Sequence, residues 1–169
     1  MGDIKSAMNL YQEAIKIDNF YAEPHINLGL MYQNMGQDDV ALEHYKRALE
    51  IGEGHPELFN NLGILNMKHQ EYTEAENCFK QALELKPYHS STLFNMGNLY
   101  YLQGKHREAE KYFDAALHGN ATAPQLFYMY GVVCFETENP QKAGELLQNL
   151  DLRYQKTAFY LGASYFNLK

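Results

Sequence analysis

Three asparagines recur in this chain at a constant spacing. Asn27, Asn61 and Asn95 are separated by 34 residues each time. A carboxamide carries both a hydrogen-bond donor and an acceptor, so one asparagine can pair with the C=O and the N–H of a peptide unit together. The alternative is that each asparagine braces a neighbouring loop or helix of its own chain. The chemistry that this pattern offers is recognition of a peptide backbone.

The sequence contains no motif typical of catalysis. It has no nucleophile elbow, P-loop, HExxH or dinucleotide fingerprint. Cys78 and Cys134 are the only cysteines, they form no zinc-binding pattern with histidine, and both lie in helical patterns. We therefore expect free thiols in a reducing compartment, no enzymatic activity, and neither a cofactor nor a metal.

The histidines are scattered and fall at helix ends or on polar faces, so we expect them at the surface. The five that this applies to are His44, His69, His89, His106 and His118.

Composition narrows the class of partner. The net charge is −7, and the acidic and basic residues are interspersed, so no basic patch is available to neutralise phosphates. No apolar run approaches the roughly 18 residues of a membrane span, and no signal-peptide core is present. We expect a cytoplasmic protein that binds neither nucleic acid nor membrane.

An internal repeat in the sequence predicts the secondary-structure elements that carry the asparagines. Residues 56–89 match the residues 34 positions before and after them, which indicates a stacked-repeat architecture. The recurring dipeptides at the centre of each unit are Leu28-Gly29, Leu62-Gly63 and Met96-Gly97.

Each repeat is predicted to hold two antiparallel helices joined by a tight turn. Apolar and small residues fall at i, i+3, i+4 and i+7 in the first half and at i, i+4, i+7 and i+8 in the second, which are helical spacings. Glycine costs about 1 kcal/mol relative to alanine inside a helix. Its recurrence at Gly63 and equivalent positions therefore predicts a steric need, namely close approach of the paired helices with Phe79 beside them.

The order of repeats predicts a single array, 1–169, that opens and closes on half a unit. We infer from this a fragment of a longer array. Ser90 and Ser91 are predicted N-cap residues, and the unit 124–154 is degenerate, with a shorter second helix and an altered packing angle. The predicted segments are 1–21 (a second helix), 22–55, 56–89, 90–123, 124–154 and 155–169 (a first helix).

These residues resemble the tetratricopeptide repeat (TPR) over essentially the whole chain. The family has a large residue, Leu-Gly and Tyr on its first helix, then Ala, an aromatic and Ala-Leu on its second, with Pro near the end. The unit 56–89 departs from this pattern at Asn66, where Tyr is usual. The resemblance implies an all-α, right-handed TPR superhelix (an α-solenoid) of about ten antiparallel helices.

The resemblance also implies where a ligand binds. In TPR proteins the first helices line a concave groove, and the asparagines would form a ladder along it that holds an extended peptide. The groove becomes more aromatic towards the C-terminus, which favours an apolar helix or extended segment as ligand; some of these aromatics could equally pack between repeats. The candidate groove residues are Asn27, Asn61, Asn95, Ile26, Leu30, Asn60, Ile64, Lys68, Phe94, Asn98, Tyr101, Tyr128, Val132 and Phe135.

One binding mode of the family does not fit. TPR adaptors that clamp the C-terminal carboxylate of chaperones use Lys and Arg at groove positions where this chain has none, as at Ile26, Leu30 and Ser91. Three hypotheses remain: a scaffold that binds a peptide or helical partner in the groove; a structural subunit that assembles through its ends; and the non-catalytic repeat region of a larger enzyme. The apolar face of residues 155–169 predicts self-association as a homo-oligomer.

Overall fold

The computed structural model describes residues 2–52, 54–119, 123–148 and 150, and all regular structure in these ranges is α-helical. The prediction of an all-α fold of successive helical hairpins, an α-solenoid, is confirmed. The helices in the described ranges are α1 Gly2–Ile17, α2 Ala22–Asn34, α3 Asp38–Ile51, α4 Pro56–Lys68, α5 Tyr72–Leu85, α6 Ser90–Leu102, α7 His106–His118, α8 Pro124–Glu136 and α9 Pro140–Gln148.

The helices fall into two compact units, Met1–Lys86 (unit 1) and Pro87–Lys169 (unit 2). Unit 1 contains the single helix α1 and the hairpins α2/α3 and α4/α5, and unit 2 contains the hairpins α6/α7 and α8/α9. The single array of 1–169 and the superhelical handedness stay predictions. The predicted last half-repeat, 155–169, lies outside the described residues.

The four hairpins turn in the same way, through a Schellman motif at the end of the first helix. In α2 the N–H of Gly36 donates to the carbonyl of Gln33 at 3.0 Å, and the N–H of Gln37 donates to that of Tyr32 at 2.9 Å. This motif needs one residue in the left-handed region. The residues there are Gly36 (φ 75°), Gln70 (φ 64°), Gly104 (φ 71°) and Glu138 (φ 62°).

The close approach predicted at the repeated glycines is confirmed. A Cβ added to Gly63 would lie closer than 3.0 Å to the Phe79 ring, which is fully buried. The same relationship joins Gly29 to Tyr45 and Gly97 to Phe113. The glycines therefore allow an aromatic ring of each second helix to lie directly on the backbone of the first.

In the degenerate hairpin α8/α9 the glycine contacts a leucine instead of an aromatic ring. Leu147 occupies the place of the aromatic ring, and a Cβ on Gly131 would meet its Cδ2 at 3.0 Å. The described α9 has nine residues, compared with 13 or 14 in the second helices α3, α5 and α7. This agrees with the shorter second helix predicted there.

Prolines begin some of the described helices, whereas the predicted serine caps do not cap a helix N-terminus. Pro56 and Pro140 begin α4 and α9, where a missing N–H costs nothing. The predicted N-caps Ser90 and Ser91 are wrong, because both lie inside α6 and its N-cap is His89. The Ser90 hydroxyl instead donates to the carbonyl of Gly119 at 2.7 Å, which ties α6 to the end of α7.

Candidate functional site

The first helices of the hairpins carry the predicted groove residues, and within each unit they are neighbours. α2 contacts α4 in unit 1, and α6 contacts α8 in unit 2. The second helix of each hairpin packs on one side of its first helix, so a stripe on the opposite side of the first helix is left at the surface. We call the stripe on α2 and α4 the unit 1 face and that on α6 and α8 the unit 2 face.

The asparagines of the unit 1 face differ in accessibility. Asn27 is half-buried and makes no hydrogen bond to any described residue. Asn61 is only 7% exposed, and its Oδ1 accepts a 3.5 Å hydrogen bond from Nδ2 of Asn60, which is equally buried. The structure thus places Asn27 where a ligand could reach it, while Asn60 and Asn61 lie largely within the protein.

Apolar residues flank Asn27 on the same face. Leu30, one helical turn along α2, is 37% exposed, and Ile64 occupies the equivalent position of α4 and is half-buried. Ile26 does not belong with them, which corrects its assignment to the groove. It is 6% exposed and packs in the core cluster of unit 1 with residues such as Leu58 of α4.

Lys68, the only cation among the candidate residues, is held by an ion pair. Its Nζ lies 2.6 Å and 2.8 Å from the two carboxylate oxygens of Asp38 at the start of α3. His69 Nε2 is 3.2 Å from the same carboxylate. The hydrogen bond from Lys68 lowers the pKa of Asp38. Lys68 therefore links the hairpin α4/α5 to the hairpin α2/α3 of unit 1.

The unit 2 face contains more aromatic side chains, and several already have partners. Phe94 packs at a tilt on Phe113 with 5.8 Å between ring centroids. Tyr101 meets His106 edge-on at 5.5 Å, and its hydroxyl lies 3.5 Å from Glu136 Oε1. Burial is the main cause that raises the pKa of Tyr101. Phe94 and Tyr101 thus join α6 to its neighbours while remaining partly exposed.

The remaining candidates of unit 2 are also half-buried. Tyr128, Val132 and Phe135 follow one stripe of α8 at helical spacing. On α6, Asn95 is engaged in an interaction of its own, whereas Oδ1 of Asn98 is buried with no hydrogen-bond partner among the described residues. The unit 2 face is therefore an aromatic surface in which Asn98 supplies an amide.

A histidine pair in unit 1 was missed by the sequence analysis. His25 is 7% exposed, and its Nδ1 lies 3.0 Å from that of His44, whose ring stacks on Tyr32. Burial lowers the pKa of both histidines. The predicted surface position of His44 is therefore wrong. The burial of His25 could have been predicted from the repeat, because His25 occupies the position of Phe59, where an apolar side chain is expected.

Nothing in the described ranges resembles a metal or nucleophile site. No group of three or more His, Cys, Asp or Glu side chains there could hold a metal ion. Cys78 and Cys134 are free thiols, and burial raises the pKa of both, that of Cys134 to about 12. A thiol with so high a pKa is a poor nucleophile. None of the described helices is long and apolar enough to cross a membrane.

Comparison with protein families gives consistent matches along the chain. A tetratricopeptide repeat profile matches residues 20–87 and 55–118, a TPR repeat profile matches residues 1–36, and a further tetratricopeptide repeat profile matches residues 94–152. Among curated protein sequences, none matches the chain.

Solved structures with the same fold come from several proteins. The structure from a functional characterization of Pseudomonas aeruginosa pilF has a TM-score of 0.78 and 23% identity over 88% of this chain and 68% of that one. The structure of the APC/C hetero-tetramer Cut9–Hcn1 has a TM-score of 0.81 and 20% identity, and the match covers 92% of this chain and 32% of that one.

A third structure is that of YrrB, described as a TPR protein with an unusual peptide-binding site. It gives a TM-score of 0.63 and 25% identity over 88% of this chain and 76% of that one. The matching profiles agree with the repeated helical hairpins and their glycine–aromatic contacts, since all of them indicate the same repeat. The chain belongs to the tetratricopeptide repeat family.

Proposed function

We propose that this chain is a protein-interaction scaffold that binds a peptide or helical segment of a partner on its first-helix faces. The TPR fold is typical of such scaffolds. The observation that carries the proposal is Asn27, whose carboxamide is partly exposed and has no hydrogen-bond partner among the described residues. A carboxamide without a partner in the described ranges, flanked by the apolar Leu30 and Ile64, is suited to a ligand's main chain.

The surroundings of Asn27 define the chemistry of the ligand in unit 1. Leu30 lies one turn away on α2, and Ile64 lies on the adjacent first helix, both with exposed apolar surface. Burying such surface against a ligand is favourable by about 25 cal/mol per Å². The asparagine would hold the backbone of the bound segment while Leu30 and Ile64 contact its apolar side chains.

The unit 2 face would select for larger apolar groups. Tyr101, Tyr128 and Phe135 are all partly exposed there, and aromatic side chains supply large contact areas at low entropic cost. Asn98 is expected to contribute less, because its amide oxygen, although without a partner among the described residues, is buried. Asn95 and Asn61 are expected to contribute less than Asn27, because both already have partners within the chain.

The description of YrrB as a peptide-binding TPR protein supports this reading by analogy. We propose a protein or peptide partner with apolar side chains, no cofactor, no nucleic-acid ligand and no catalytic step in this region, and a cytoplasmic location. A carboxylate clamp remains disfavoured, since Lys68, the single cation among the candidates, is bonded to Asp38.

Selection from a random peptide display library tests the proposal and does not require an identified partner. Peptides enriched on the parent chain are synthesised and titrated calorimetrically against the parent and Asn27→Ala. Loss of one hydrogen bond is worth about 0.5–1.5 kcal/mol, so the affinity should fall by roughly twofold to twelvefold. Leu30→Glu should weaken binding further, because it places a charge on the apolar surface.

The matched control is Glu43→Ala, an exposed substitution on the second helix α3. It should leave the affinity unchanged. If no peptide is enriched, or if Asn27→Ala and Leu30→Glu bind the enriched peptides as tightly as the parent does, the unit 1 face is not the binding surface.

A further inference from the structure

The side chain of Gln33 on α2 is held in one orientation by a buried tyrosine of α3. The hydroxyl of Tyr45, which is 0% exposed, donates a 2.7 Å hydrogen bond to Oε1 of Gln33. Burial raises the pKa of Tyr45, so the hydroxyl keeps its proton and acts as the donor. Because the amide oxygen is bonded, the Gln33 amide is fixed with its Nε2 remaining as a donor.

This tyrosine–glutamine pair distinguishes the hairpin α2/α3 from α4/α5 and α6/α7. The residues equivalent to the tyrosine are Phe79 and Phe113, which are equally buried and lie on a glycine in the same way but have no hydroxyl. The residues equivalent to the glutamine are Met67 and Tyr101, and neither is an amide. Packing of the ring therefore does not require the hydroxyl, whose distinct effect is to orient the amide.

Gln33 lies at the edge of the unit 1 face that adjoins α3. Asn27, Leu30 and Gln33 follow one another at intervals of three residues, so they form a diagonal row on α2. Gln33 is half-buried, and its Nε2 has no hydrogen-bond partner among the described residues. Its distance from Asn27 along the helix axis is about 9 Å. The row thus has an amide at each end and an apolar side chain between them.

Such a row suits an extended main chain better than a helix. Within a helix the main-chain N–H and C=O groups are already bonded to one another, so they would offer the two amides no available partner. An extended segment keeps these groups available for recognition. It advances about 3.3 Å per residue, so at least about three residues separate the two main-chain groups that Asn27 and Gln33 would reach.

We propose that Gln33, oriented by Tyr45, donates through Nε2 to a main-chain carbonyl of an extended peptide segment on the unit 1 face. This role of Gln33 rests on the proposed function, because Asn27 would hold the same segment about three or four residues away. An apolar side chain of the segment between these two points would lie on Leu30, which is 37% exposed. The ligand would therefore cross α2 diagonally.

Two substitutions that copy the hairpin α4/α5 test these roles in the full chain. Gln33→Met removes the amide and Tyr45→Phe removes only the hydroxyl. The double variant should fold, because it carries the residues that α4/α5 has at Met67 and Phe79. Peptides enriched on the parent from a random display library are titrated calorimetrically against each variant.

Gln33→Met should weaken binding by roughly twofold to twelvefold, the loss of one hydrogen bond. Tyr45→Phe should weaken binding when it is made in the parent, because the amide is then no longer oriented. It should have no further effect in the Gln33→Met background, which gives a coupling between the two positions.

Replacement of single peptide carbonyls by thiocarbonyls, which are weaker hydrogen-bond acceptors, locates the contact. One replacement should weaken binding to the parent and have little effect on binding to Gln33→Met. The matched control is Gln81→Met, the same change at an exposed position of α5. It should bind the peptides as tightly as the parent does.

Binding by Gln33→Met that equals the parent's overturns this role of Gln33. Weaker binding by Asn27→Ala would then leave the proposed function standing, whereas unchanged binding by Asn27→Ala, or a library that yields no peptide, would contradict both. An effect of Tyr45→Phe that is equally large in the Gln33→Met background overturns the positioning role of Tyr45. A peptide that becomes helical on binding, by circular dichroism, overturns the extended mode.

Discussion

Gly63 of α4 lies directly beneath the ring of Phe79 of α5, so closely that any Cβ at Gly63 would overlap the ring. The ring is completely buried and held by the rest of the hairpin. Since the same pair recurs as Gly29–Tyr45 and Gly97–Phe113, this contact sets the distance between the two helices in the hairpins α2/α3, α4/α5 and α6/α7. Those helices in turn hold the first-helix faces in place.

Substitution of Gly63 by alanine should destabilise the protein. Overpacking a well-packed core costs about 1–3 kcal/mol, and alanine returns about 1 kcal/mol through its higher helix propensity. We expect a net loss in the free energy of unfolding of up to about 2 kcal/mol, measured by denaturant titration. Gly131→Ala is the comparison, because its neighbour Leu147 is flexible and the approach is only 3.0 Å. Equal costs at both sites would contradict this account.

Substitution of Gln70 by glycine should stabilise unit 1. Gln70 has φ 64°, in the same turn position as Gly36 and Gly104. The left-handed region costs an L-residue about 1–2 kcal/mol, partly offset by the greater freedom of glycine in the unfolded chain. The midpoint of denaturation should rise for Gln70→Gly and fall for Gly36→Ala. A lower midpoint for Gln70→Gly would show that its side chain contributes more than the backbone strain costs.

The His25–His44 pair should make stability depend on pH. Burial lowers the pKa of both histidines, and the charge of His44 lowers that of His25 further. The folded state therefore holds them neutral, so the stability that they contribute is complete above their ordinary pKa of 6.5. It is lost as the pH falls through that value towards the lowered ones.

The groups facing this pair are Arg47, which lowers the pKa of His25 further, and Glu43, which raises that of His44. His25→Phe introduces the side chain found at the equivalent position, Phe59. The unfolding free energy of this variant, measured by denaturation between about pH 5 and pH 8, should decline less steeply on acidification than that of the parent. Parallel pH profiles would show that the pair does not titrate with folding.

The helical hairpins could be predicted because they depend on local pattern. The helical spacing of the apolar residues acts within one repeat, and the 34-residue period shows that the same unit recurs along the chain. The packing of Gly63 against Phe79 was predictable for the same reason, since a costly glycine in a fixed register implies a steric need.

The partners of the polar side chains could not be predicted in this way. The Ser90 hydroxyl caps no helix because the carbonyl of Gly119 is within reach, and His44 is half-buried because His25 and Tyr32 face it. Likewise Ile26 belongs to the core rather than to the groove. Each of these outcomes depends on a contact between helices, which the spacing along one helix does not specify.

The most direct test of the central claim is a double-mutant cycle between Asn27 and the backbone of a bound peptide. A peptide selected on the parent chain is compared with versions that are N-methylated at one residue each, against the parent and Asn27→Ala. If Asn27 holds the main chain, one methylation should weaken binding to the parent and have little further effect on Asn27→Ala, which gives a coupling energy. If every methylation acts equally on both proteins, Asn27 does not contact the peptide backbone, and the proposed mode of binding is wrong.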